Sequence, residues 1–132
     1  WSSDVCSSDL LDLLEISRIE RVLDMQAERF LARVYTPGET ASCAGKAESL
    51  AGYFAAKEAT AKALGTGLMT SGIKFTDIEI CKDDTGAPYI VLKNNAKARY
   101  QELNGLDIAI SITHERSYAA AVCYLLRGDL SD

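Results

Sequence analysis

Histidine occurs once in these 132 residues, proline twice and tryptophan once, and no two of the four cysteines stand in a CxxC pair. A single histidine excludes a His-rich metal centre. The scattered Cys6, Cys43, Cys81 and Cys123 exclude a zinc-site spacing and read as reduced thiols, which points to the cytoplasm. No apolar run approaches the roughly 18 residues needed to cross a bilayer, so no membrane-spanning helix is expected. Positive charge is short as well. The 14 Lys and Arg face 19 Asp and Glu, and a net charge of −5 argues against a nucleic-acid binder. What remains is 48% hydrophobic and 25% charged, the balance of a soluble globular protein. A chain of this length buries roughly two-thirds of its unfolded surface and can hold an ordinary core in one domain.

The opening "WSSDVCSSDLL" lacks an initiator methionine, a signal-peptide layout and any strand alternation. Residues 1–11 therefore read as a non-native or upstream remnant, in which a leading strand may be missing, and 12–132 as a single domain. From Leu13 to Tyr35 a short apolar segment runs on into an amphipathic helix, with Ile16, Ile19, Leu23, Ala27, Phe30 and Val34 as its buried stripe. "TPGETASCAG", 36–45, reads as a loop broken by Pro37 and Gly38. A second long helix opens near Ala47, where seven positions between Ala47 and Ala63 are alanine, and Gly65 ends it. Beyond Gly72 the period changes. "FTDIEI" and "PYIVL" form a hairpin about Asp84–Gly86, "NNAKARYQELNG" a short helix, and "DIAISIT" and "YAAAVCYLL" two strands joined at "HERS". Two long helices, one short helix and about four mostly antiparallel strands make an α+β domain.

Several residues can carry chemistry. Glu58 and Lys62 are four apart on one helix face, above only Ala51 and Ala55. The bland reading is a surface ion pair contributing a few tenths of a kcal/mol. The functional one is a carboxylate that holds a hard metal beside a lysine that meets a phosphate, with small neighbours leaving room for both. The following Gly65 and Gly67 would let backbone N–H groups approach an anion. Asp12 and Glu15 lie in the apolar "LLDLLEI". Asp12 is as suited to a metal as to capping the next helix, whereas Glu15 is better suited to the cap. His114, in "SITHERSY", is either solvated at a turn or able to meet a phosphate or act as a base. Four of the seven arginines, Arg18, Arg21, Arg29 and Arg33, lie on the first helix, and Arg18, Val22, Met25, Arg29 and Arg33 follow one stripe. That stripe is either plain solvated surface or the docking face for an acidic partner.

Taken in order, "DLLEISRIE", "LAGYFAAKEATAKALGTG", "FTDIEI…DDTGAPYI" and "SITHERSYAAAV" resemble the bacterial holo-acyl-carrier-protein synthases, the short type of 4′-phosphopantetheinyl transferase. The likeness extends from Asp12 to Leu125. It implies the phosphopantetheinyl transferase fold and transfer of the phosphopantetheine arm of coenzyme A to a serine of apo-acyl carrier protein. By that resemblance Asp12 and Glu58 hold Mg²⁺, and Lys62 adds positive charge at the same phosphates. Gly65 and Gly67 border the pantetheine arm, and the helix bearing Arg18, Arg21, Met25, Arg29 and Arg33 docks an acidic carrier protein. It further implies fatty acid biosynthesis as the setting and a homotrimer with sites between subunits. The proton acceptor for the serine is left among Glu58, His114 and a metal-bound water. The chain departs from the family in "SSDLL" before Asp12, in Tyr53 where arginine is usual and in Ala87 where lysine is usual. The alternative implied by the altered start is a binding module of the same fold that grips coenzyme A or a carrier protein and transfers nothing.

Overall fold

The computed structural model describes residues 5–65, 68 and 72–128. Gly67 lies outside them. The chain runs β1 (Val5–Glu15), α1 (Ile16–Val34), α2 (Pro37–Cys43), α3 (Ala47–Ala63), a 3₁₀ turn (Phe75–Asp77), β2 (Ile78–Lys82), β3 (Pro88–Leu92), α4 (Asn94–Glu102), β4 (Gly105–His114) and β5 (Tyr118–Gly128). β2 and β3 form the expected hairpin, while the other strands make a sheet in the order β1-β5-β4. All pairings are antiparallel, so the α+β expectation holds. Among the described residues no helix is long and apolar enough to cross a membrane.

β1 was not expected from sequence. Every residue from Val5 to Glu15 is paired with β5, so a leading strand is present, and 5–11 belong to the same sheet as Asp12. Alternation is weak here because polar Ser7 and Asp9 stand on the outer side with Leu11 and Leu13, whose exposures are 61% and 62%. Directly paired residues of antiparallel strands point to one face. Asp12 opposite Ala121, Leu14 and His114 opposite Ala119, and Ile112 opposite Ala121 therefore share a side with buried Cys123 and Leu125.

α3 covers that side. Its buried residues lie all round its circumference, from Leu50 to Ala63, which is the signature of a core helix and not of a surface one. Alanine allows this because a thin helix can be approached from several directions. Ala51 and Ala55 are fully buried, so these alanines serve close packing and do not form open space for a ligand. Gly52 marks the tightest approach: a Cβ there would stand 2.8 Å from Ile112 Cγ2.

The segment 36–45 also differs from expectation. Thr36 and Glu39 form a capping box, with Pro37 in the first turn, and Pro37–Cys43 is helical. Glu39 does more than cap. Its Oε1 accepts the Thr36 N–H at 2.8 Å and Lys57 Nζ at 2.8 Å, and its Oε2 accepts the Ile80 N–H at 2.7 Å. Lys57, fully buried on α3, also donates to the carbonyls of Phe75 and Ile78 at 3.0 and 2.6 Å. Burial pushes its ammonium pKa down, and Glu39 opposes that shift. This one satisfied ion pair ties α3 to α2 and to the start of the hairpin.

Helix α1 buries Ile16 and Ile19 near its start and Val34 at its end, with Leu23 and Phe30 partly covered, as the stripe requires. Glu15 holds the N-cap position, but its side chain makes no capping bond. Gln26 is non-helical, with φ −159° and ψ 60°, and splits α1 into two segments.

Candidate active site

Asp12 points from the middle of β1 toward the last turns of α3. There Lys62 Nζ donates to Asp12 Oδ1 at 2.7 Å. Asp12 is therefore not a helix cap, and the i,i+4 reading of Lys62 gives way to a partner 50 residues away in sequence. Glu58, one turn earlier, stands half-buried. Burial is the main reason its carboxyl pKa is raised, and the Asp12 charge adds to it, against the opposing pull of Lys62 and Arg18. The hydrogen bond to Asp12 holds the Lys62 ammonium above its ordinary range. Two carboxylates and an ammonium thus stand together where β1 faces the last turns of α3, with the charge of exposed Arg18 on α1 felt at Glu58.

Among the described residues, no further histidine, cysteine or carboxylate joins Asp12 and Glu58 to make a cluster of three. That donor set suits Mg²⁺, which takes one or two carboxylates and leaves its other positions to water and substrate phosphates. It does not suit zinc, whose sites are built on three or four protein ligands with histidine or cysteine among them. The crowding of two carboxylates beside each other is the feature a cation would relieve.

Gly65 follows α3 with φ 75°, a conformation in which a side chain would be strained. Arg99 Nε donates to the Leu64 carbonyl at 2.9 Å and closes the helix end. Lys62, Gly65, Arg99 and Arg127 border a cavity of about 220 Å³ there. Gly67, assigned to the same region by sequence, lies outside the described residues.

His114 is elsewhere. It ends β4, exposed, and lines a separate cleft of about 220 Å³ with Ser49, Tyr53, Lys82 and Gly86. Strand β5 stands between it and Asp12, a separation of about 10 Å across the sheet at the usual strand spacing. Within one chain the structure thus gathers Asp12, Glu58 and Lys62 and leaves His114 apart. Lys82 and Tyr53, whose hydroxyl lies 3.1 Å from Ser42 Oγ, were not among the expected site residues. Arg18, Arg21, Arg29 and Arg33 are exposed on α1, as is Met25 at 77%. The break at Gln26 puts Arg18, Arg21 and Met25 on one segment and Arg29 and Arg33 on the other.

The family model described as the 4′-phosphopantetheinyl transferase superfamily matches residues 11–123. A holo-[acyl-carrier-protein] synthase of Halothermothrix orenii is 46% identical over 114 residues, covering 84% of this chain and 90% of the relative. One of Ruminiclostridium cellulolyticum is 40% identical over 122 residues, covering 89% and 90%. In three dimensions the chain is similar to the Helicobacter pylori holo-[acyl-carrier-protein] synthase in complex with coenzyme A. That match has a TM-score of 0.81 at 35% identity, over 89% of this chain and 99% of the other. The chain therefore belongs to the 4′-phosphopantetheinyl transferase superfamily, among the holo-[acyl-carrier-protein] synthases.

Proposed function

We propose that this enzyme transfers 4′-phosphopantetheine from coenzyme A to a serine of apo-acyl carrier protein, with Mg²⁺, in fatty acid biosynthesis, releasing adenosine 3′,5′-bisphosphate. The observation that carries the reading is the meeting of Asp12 and Glu58, from separate elements, beside Lys62. These two carboxylates would hold Mg²⁺, which when bound neutralises the pyrophosphate under attack. Lys62 adds positive charge at the same phosphates, and its neighbour Gly65 keeps the backbone accessible to the pantetheine arm. Asp12 and Glu58 are carried by a paired strand and a core helix, so their backbones need no rearrangement to present both carboxylates. His114 meets a phosphate or accepts the serine proton. Because β5 separates it from Asp12 within one chain, we assign that role to His114 of a neighbouring copy. The outer face of the sheet supports such an assembly: Leu11, Leu13, Val122 and Tyr124 are exposed there side by side. A homotrimer is the proposed state.

Exposed arginines and Met25 on α1 form the docking face for the acidic carrier protein. The cytoplasm is the proposed compartment, in keeping with free thiols at Cys43, Cys81 and Cys123. A transfer-inactive binding module would rest on a damaged leading strand, and the pairing of β1 with β5 from Val5 to Glu15 favours the enzyme instead. The deciding experiment is mass spectrometry of an apo-carrier protein incubated with the enzyme, coenzyme A and Mg²⁺. A mass gain of one phosphopantetheine, abolished by a chelator, is expected. An unchanged carrier mass would refute the assignment.

A further inference from the structure

Lys62 has two possible counterparts on different sides. On one side its ammonium is 2.7 Å from Asp12 Oδ1, with the lysine side chain 48% exposed and the aspartate 15%. An exposed ammonium held by one carboxylate is weakly retained. On the other side Lys62 borders the cavity at the end of α3 with Arg99 and Arg127. Arg127 Nε is buried there with no hydrogen-bond partner among the described residues. Arg99 has Glu102 Oε2 at 3.7 Å, so of the three cations that edge the cavity it is Lys62, held only by exposed contact with Asp12, and Arg127, with its unused donor, that an anion entering there would engage.

We propose that Lys62 is a stand-in for the divalent cation: it neutralises Asp12 until an anionic phosphate in the cation-lined cavity draws it away and opens Asp12 to the metal. Cation and phosphate then bind cooperatively, because each favours the same position of Lys62. The idea rests on the metal reading given above. It differs from a simple phosphate contact in one consequence: removing the lysine should improve binding of the metal alone.

Mn²⁺ binding, followed by calorimetry without coenzyme A, tests this on the wild-type protein and on Lys62→Met, Lys62→Arg and Glu58→Gln. Lys62→Met should bind Mn²⁺ about tenfold more tightly than wild type, since both the competing ion pair and a like charge are gone. Lys62→Arg, which keeps the charge, should stay near the wild-type affinity. Inorganic sulfate should tighten Mn²⁺ binding to wild type and leave Lys62→Met unaffected. Equal or weaker binding by Lys62→Met, or equal gains for Met and Arg, would overturn the stand-in role. The metal reading survives that result if Glu58→Gln still loses Mn²⁺. Undiminished Mn²⁺ binding by Glu58→Gln would instead remove the metal reading and the inference with it.

Discussion

Replacing Glu58 by glutamine keeps the length of the side chain and removes its charge, at a position whose half-buried carboxyl already crowds Asp12. A hard cation needs the charge, so Glu58→Gln should abolish transfer while thermal unfolding stays near wild type. Near-normal turnover of this variant at ordinary Mg²⁺ would break the assignment, and Asp12→Asn is expected to behave alike. Its sequence neighbour Lys57 predicts the opposite pattern. Lys57→Met leaves the Glu39 carboxylate buried without its cation, which should cost about 3–5 kcal/mol of stability in denaturant unfolding. Replacing Glu39 and Lys57 together by apolar residues should recover much of that loss. A stability change under 1 kcal/mol for Lys57→Met alone would contradict the buried pair. Adjacent residues of one motif thus divide the labour, one toward the core and one toward the site. The sequence pattern points to Glu58 and is silent on Lys57, because the lysine's partner is 18 residues away and lies on α2, where Pro37 and Gly38 suggest a loop.

Elements, in turn, were legible wherever their signal was local. The stripe of α1, the hairpin and the alternating β4 could be read from spacing, and the structure repeats them. Where two local signals competed, the reading failed. Pro37 and Gly38 suggest a break, yet Thr36 and Glu39 form the capping box that starts a helix, and Pro is well tolerated at its first position. β1 escaped notice because its outward residues mix polar and apolar types. The contact of α3 with β4 provides a test at this scale. Gly52→Ala would force a Cβ against Ile112 Cγ2, and overpacking of that kind costs about 1–3 kcal/mol, outweighing the roughly 1 kcal/mol that alanine gains in helix propensity. Denaturant unfolding should show a net loss for Gly52→Ala and partial recovery on adding Ile112→Ala. A stabilised Gly52→Ala would show that the helix can shift without strain. On α1, the Gln26 break sets Arg18, Arg21 and Met25 apart from Arg29 and Arg33, and the proposed docking face can be tested on the first segment alone. Charge reversal of Arg18 and Arg21 to glutamate should therefore raise KM for the carrier protein and weaken the salt dependence of the rate. Unaltered carrier kinetics at low salt would return this face to ordinary surface.

For the whole molecule, the exposed apolar strip on the sheet is the surface through which the proposed trimer would close. Leu13→Glu with Val122→Glu should reduce the mass found by light scattering from about three chains to one. Activity should fall in parallel if His114 serves a neighbour's Asp12 and Glu58. Full activity of a monomeric double variant would place the entire site in one chain. The all-round burial of α3 has another consequence, which belongs to the timescale of opening. A helix walled in by strands and helices cannot fray sideways, so its amides exchange with solvent only when the domain opens as a whole. The amides of residues 50–61, together with their neighbours in β5, should be the last to take up deuterium. Glu58 would then hang from the slowest-opening segment of the chain and Lys62 from its edge, so that their carboxylate and ammonium move by side-chain rotation over a backbone that opens only with the whole domain.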